Sequence, residues 1–252
     1  MKTRIPALLA GLALGGALLL STVGVAAAVT PPVGPAVKGV CATQAVAMKT
    51  GATVETARAF GDCEISRRFA TLEALSAKVS ASKVLSTSDA AALQSEIAST
   101  RTGLTSLKAS IDSETSLPAL KVDIAKIAAD YRVYLLVAPQ VNLVSAADGV
   151  LAAQTRFADV NTKLAARIAA TKTAGRNTTA AQTALDAMNA AVANAVGLAQ
   201  PLPTKLLPLT PAQYNSGTAG PIVTSARAAL GQARDQLKVA IASAKACRDA
   251  LK

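Results

Sequence analysis

Residues 117–138 read LPALKVDIAKIAADYRVYLLVA. Leu117, Leu120, Ile124, Ile127, Tyr131, Tyr134 and Ala138 fall alternately three and four residues apart, the spacing of an apolar seam along one helix face. Toward the end of the stretch Val133, Leu135, Leu136 and Val137 add apolar side chains on the remaining faces. A helix that is apolar all round has to be buried, so the rest of the chain is expected to gather around this one.

Downstream, Pro139 follows directly, and Leu143, Val150, Phe157 and Leu164 continue at seven-residue intervals to about Ala174. Proline suits a first turn and kinks an interior, so Pro139 marks either a tight reversal or a bend in one very long helix. Gly175 ends this helix, and Thr179 with Gln182 predicts a capping box for the next, whose inward residues are Leu185, Met188, Val192 and Val196. Residues 200–221, QPLPTKLLPLTPAQYNSGTAGP, hold five prolines and cannot form a long helix. Thr210, Pro211 and Gln213 predict a single capped turn inside this long connection. Leu202, Leu206, Leu207 and Leu209 predict that it packs against the helices. The last helix shows the longest unbroken alternation, Val223, Ala226, Leu230, Ala233, Leu237, Ala240, Ala244, Cys247 and Leu251. That seam is mostly alanine, which lets a neighbour approach closely.

Upstream, Ile65, Phe69, Leu72, Leu75 and Val79 predict a helix from Thr56 or Asp62 to about Leu85, and Leu93, Ile97, Thr100, Leu104, Leu107 and Ile111 predict a second, capped at residues 87–89. Residues 41–49 suggest a short helix interrupted at Gly51. The chain opens with Lys2 and Arg4, runs uncharged from Ile5 to Pro35 and ends its apolar part at Ala26, Ala27 and Ala28, the layout of a secretory signal. Residues 1–28 are therefore expected to be a signal peptide, with an uncleaved membrane anchor as the alternative. Residues 29–53 then form a Pro-rich linker and short N-terminal segment, and residues 54–252 form the folded unit. The expected fold is all-α: an elongated up-and-down bundle of five or six long helices with coiled-coil-like packing.

Asp130–Leu151 (DYRVYLLVAPQVNLVSAADGVL) and Gln200–Ile222 (QPLPTKLLPLTPAQYNSGTAGPI) give the chain its family likeness. It resembles a group of alanine-rich, secreted helical proteins of actinobacteria that carry no assigned function. The resemblance implies export and an all-helical fold, and no activity.

Without the leader, 24 basic residues face 15 acidic ones, a formal charge of +9. Such an excess draws anionic envelope polymer or an anionic membrane surface as a partner, although a charged surface also serves solubility alone. Nucleic acid is disfavoured by export and by the scarcity of aromatic rings for stacking on bases. The chain has no His. That removes Ser-His-Asp and Cys-His nucleophile systems, and three cysteines are too few for the common zinc sites, so neither metal nor cofactor is expected. Ser80 with Lys83 and residues 49–51 (KTG) imitate two pieces of a β-lactamase signature, but in the wrong order and without a sheet. Asn177 begins an N-x-T triplet, for which capping is the simpler role.

Three sets of residues are candidates for function. Arg227, Arg234, Lys238, Lys245, Arg248 and Lys252 share one face of the last helix, diluted only by Asp235 and Asp249, and would bind a polyanion. Tyr131, Arg132, Tyr134 and Asn142, with Gln140, would form a small polar pocket in the bundle, or else two core rings with satisfied hydroxyls. The carboxylate pairs Asp62/Glu64 and Asp112/Glu114 would supply acid/base chemistry, or else cap helix ends. The expectation is a non-enzymatic exported bundle protein that binds or spaces at the cell envelope. The alternative is a secreted hydrolase with a carboxylate pair beside the 200–221 connection. An enzyme would show an acidic pair converging in a pocket, and a binder a basic or apolar patch.

The odd number of cysteines permits one internal bridge. Cys41 and Cys63 lie 22 residues apart in sequence, roughly 33 Å if one helix joined them. That pairing therefore needs a sharp break near Gly51. Cys63 begins the first long helix and Cys247 ends the last. With a reversal at Pro139 there are six helices, and an even number brings those two ends to one pole. A Cys63–Cys247 bridge is expected on that parity.

Overall fold

The computed structural model describes residues 40–252, so the expected signal segment and residues 29–39 of the linker lie outside the described residues. The described residues form helices joined by turns, with no strand among them. They are α1 (Ala42–Thr50), α2 (Val54–Ala81), α3 (Thr87–Ser113), α4 (Leu117–Ala129), a π-helical turn (Val133–Val137), α5 (Ala138–Thr173), α6 (Thr179–Ala199), the short α7 (Leu202–Leu206) and α8 (Pro211–Asn215), and α9 (Ala219–Asp249). The architecture is an elongated helical bundle with two lobes.

Local chemistry sets most boundaries. Thr53 caps α2 by accepting from the Thr56 amide, and Thr56 returns the bond to the Thr53 amide, a capping box with Thr in place of the usual Glu. Ser86 Oγ accepts from the Asp89 amide and starts α3 one residue before the expected cap. Thr210 and Gln213 close the expected box on α8. The box expected at Thr179 and Gln182 does not form: α6 begins after Thr178, and Asn177 Oδ1 instead takes the Thr179 amide. A one-residue change of N-cap puts Gln182 out of reach.

In the first lobe α2 rises, α3 returns and α4 rises again between them. Gly61 on α2 sits against Ile111 and Ile124, so the three helices meet closely at that level. Higher up, Tyr131 lies against Gly103, where any Cβ would stand 2.5 Å from the ring. Higher still, Asn142 accepts from Lys78, and Asp148 Oδ2 takes the Ser86 amide at 2.7 Å. The chain therefore keeps rising through Pro139. This corrects the expected reversal there.

The change in the helix comes upstream of the proline. Arg132 takes a left-handed backbone (φ 43°, ψ 36°), and the π turn follows, with the Ala138 amide bonding to Val133 O. In a regular helix the Pro139 ring would clash with the carbonyl four residues back, and a widened turn directly before it relieves that clash. From Leu117 to Thr173 the chain is a single jointed rod of 57 residues, roughly 85 Å at 1.5 Å per residue. This span has the length and apolarity of a membrane helix, but most of that apolar window is buried inside the protein.

Above the first lobe, α5 continues alone and packs with α6 and α9 to form the second. Asn161 on α5 accepts from Asn189 on the descending α6, and α9 rises beside both. All nine seam residues of α9 from Val223 to Leu251 are buried. Between the lobes, Val133, Leu136, Val137, Val141 and Val144 are almost fully buried, as a helix apolar all round requires, although Leu135 is 47% exposed.

The count of long helical rods is thus five: α2, α3, α4–α5, α6 and α9. An odd count puts Cys63 and Cys247 at opposite poles, and the expected Cys63–Cys247 bridge is corrected accordingly. The bridge is Cys41–Cys63, with Cα atoms 5.8 Å apart. The break at Gly51, whose backbone leaves the helical region, folds α1 back along α2 and brings Cys41 to Cys63. Cys247 is a free, buried thiol, and burial pushes its pKa up.

Candidate functional site

Tyr131, Arg132, Tyr134 and Asn142 turn to different partners rather than toward one another. Tyr131 faces Gly103 on α3, where burial raises its hydroxyl pKa. The Tyr134 ring lies under two guanidinium groups of α2, Arg67 at 5.1 Å and Arg68 at 5.2 Å. Both arginines share the Glu64 carboxylate, at 2.8 Å and 2.5 Å, and the Tyr134 hydroxyl is buried without a hydrogen-bond partner. Asn142 serves Lys78, whose ammonium pKa burial lowers.

Arg132 and Gln140 instead bind the Pro-rich connection. Arg132 Nε donates to Asn215 Oδ1 at 2.6 Å, and its guanidinium lies over the Tyr214 ring. Asn215 in turn donates to Ala129 O, a carbonyl left open where α4 stops. Buried Gln140 donates through Nε2 to Leu206 O, which also takes the Leu209 amide, and to Leu209 O, so it ties down the chain where α7 ends. The connection is a clasp across the joint of the long rod. It holds Arg132 in a conformation that costs a non-glycine residue about 1–3 kcal/mol.

Beside the clasp lies an open groove of about 840 Å³, lined mainly by Leu198, Pro201, Leu202, Pro208, Leu209 and Ile222, with Lys205 and Gln213 as its longer polar side chains. Among the described residues no carboxylate lines it. The candidate acidic pairs are elsewhere and engaged. Lys108 bridges Asp62 and Asp112, whose hydrogen bonds raise the lysine's pKa, and Glu64 holds Arg67 and Arg68. Glu114, at the end of α3, accepts from the Ser116 amide in the turn that leads into α4. Among the described residues no group of His, Cys, Asp and Glu is placed to hold a metal.

The basic residues expected to share one face of α9 are exposed or half-exposed beside its buried seam. Lys238 is paired with Asp235, and Arg248 and Lys252 with Asp249; those salt bridges hold both aspartates well below the usual carboxylate range. Arg227, Arg234 and Lys245 have no acidic partner among the described residues. The charge is divided unevenly along the rod. Residues 40–137 carry eleven Lys and Arg against ten Asp and Glu, a net +1. Residues 138–252 carry twelve against five, a net +7. Counting charge by helix rather than over the whole chain would have revealed this division from the sequence.

No protein-family model, no curated protein and no solved structure matches this chain.

Proposed function

We propose that this is an exported, non-enzymatic protein that works at the cell envelope as a rigid spacer with an anionic-polymer-binding second lobe. The observation that carries the reading is the net +7 of that lobe, with Arg227, Arg234 and Lys245 exposed or half-exposed and free of acidic partners among the described residues. A surface that merely keeps a protein soluble is better served by interspersed signs, as in the first lobe. The jointed rod and its clasp support spacing, since they hold two lobes in line rather than enclosing a cavity. The leader-like start of the chain and the resemblance to secreted helical proteins support export.

Co-sedimentation of the exported protein with isolated envelope polymer, across a salt series, tests the reading. Binding is expected to weaken with salt, because exposed charges are screened within about 8 Å at physiological ionic strength. Charge reversal at Arg234, Lys238 and Lys245 should weaken it further. Binding insensitive to both changes, or none, would remove the electrostatic reading.

A further inference from the structure

Helix geometry shows what lies beside the basic row of α9. On α5, Phe157, Leu164 and Ile168 form the buried ridge. At 100° per residue Asn161 falls on one flank of that ridge, and its bond to Asn189 places α6 on that side. Arg167 falls on the other flank, and since α5 packs against both α6 and α9 while α6 takes the Asn161 side, α9 takes this one. Arg156 and Lys163 precede Arg167 by eleven and four residues and share its flank. On α9, Ile222 and Ala229 lie to the side that meets Gly197 and Leu198 of α6 across the groove. Arg227, Arg234, Lys238 and Lys245 lie to the opposite side, which therefore looks toward α5.

Both helices run from the joint toward the Cys247 pole, so the two basic rows run side by side. Along each row successive cations recur at about 6 or about 10.5 Å, for steps of four or seven residues, and packed helix axes stand roughly 8–10 Å apart. None of Arg156, Lys163 and Arg167 pairs with an acid among the described residues, and Asp159, the carboxylate on that side of α5, pairs with neither neighbour. The aspartates of α9 hold their own lysine and arginine neighbours on the far side of the row.

We infer that α5 and α9 form one cationic trough, lined by Arg156, Lys163 and Arg167 on α5 and by Arg234 and Lys245 on α9, which seats a linear phosphate polymer along the axis of the rod. The inference rests on the anionic-polymer reading and adds the α5 row and the form of the ligand. A linear chain fits two parallel rows, whereas a bilayer would need apolar side chains beside the charges. Val239 is an exposed large apolar residue of α9, and it lies roughly 100–140° around the helix from the cations of the basic row. Phosphate suits the arginines, whose planar forks pair with two oxygens at once, and a phosphate polymer keeps its charge across the envelope's pH range.

The test uses long-chain inorganic polyphosphate as probe, with polyglutamate and phosphatidylglycerol vesicles as competing arms, starting at about 50 mM salt. The unmodified protein is expected to bind polyphosphate most tightly. Arg156→Glu with Lys163→Glu, and separately Arg234→Glu with Lys245→Glu, should each weaken binding about tenfold and reduce the slope of log K against log salt by about 1.4, the value for two lost phosphate contacts on a single strand. Lys172→Glu with Arg176→Glu makes the same change in net charge at exposed positions outside the trough and should cost less than about threefold. Helical circular dichroism and protection of Cys247 from alkylation certify that each variant is folded. If the α5 pair behaves like the Lys172/Arg176 control, the trough is overturned while the α9 reading stands. If polyglutamate or vesicles bind more tightly, the phosphate polymer is overturned. If none of the three probes binds, the proposed function itself fails.

Discussion

In the first lobe the helices are spaced by large aliphatic side chains, Ile65, Leu72, Leu93, Leu104, Ile111 and Leu120, each 0–1% exposed, and eleven basic residues are balanced by ten acidic ones. In the second lobe α6 and α9 meet through Ala181, Ala191, Ala195, Ala199, Ala226, Ala233 and Ala240, and twelve basic residues stand against five acidic ones. Large side chains bury more apolar area per residue, about 25 cal/mol per Å², so the first lobe draws stability from volume. Alanine buries little but brings backbones close and loses no side-chain entropy on folding. Such a lobe holds its shape through fit, and the charge on its surface is left for a partner.

Leu104→Ala should have the largest effect, lowering the unfolding free energy by about 4 kcal/mol because a rigid site collapses poorly around the void. Urea denaturation measures it, and the rate at which Cys247 is alkylated shows whether the damage stays in the first lobe. Equal acceleration at Cys247 would break the comparison, since it would mean that the lobes open as one unit. Replacing Cys41 and Cys63 together by Ser should cost about 3 kcal/mol on the chain-entropy model for a loop of this length. Hydrogen exchange should place that loss in α1 and α2, with α6 and α9 unchanged.

Ala233→Leu tests the other side of the comparison, because a lobe built on fit should resist gain of volume. About 2 kcal/mol of destabilisation is expected, with earlier alkylation of Cys247. A neutral result would show slack between α6 and α9. The smallest effect is at Asp148, where burial raises the carboxyl's pKa despite the Ser86 amide bond. The folded state then holds this proton more tightly than the unfolded chain does. Its destabilisation is thus absent below the ordinary aspartate range and grows as pH rises through the raised value. Asp148→Asn keeps an acceptor for Ser86, so it should match or slightly exceed the parent in Tm at pH 7 and lose that advantage as pH falls toward the ordinary range.

The seam of α9 and the cap of α8 were legible because each rests on side chains a few residues apart. The joint was not. A left-handed Arg132 has no local signal of the kind a glycine gives, and its conformation is set by Asn215, which is 83 residues away in the sequence. Pro139 drew the reading to the wrong residue, and the parity of the helices, hence the pairing of Cys63, followed from that error. The α5 row of Arg156, Lys163 and Arg167 is legible in its spacing, but the apolar heptads of that helix are the stronger pattern and mask it. That this row faces α9 could come only from the packing.

The bridge between Cys41 and Cys63 also decides how the molecule bears force. A pull on the chain at Val40 enters α2 through two sulfur atoms at Cys63, so α1, the break at Gly51 and the first turns of α2 carry no tension. With the bridge closed, the chain lengthens only when α2 itself is torn from α3 and α4. With it reduced, α1 and the start of α2 peel away first and act as a short extensible leash.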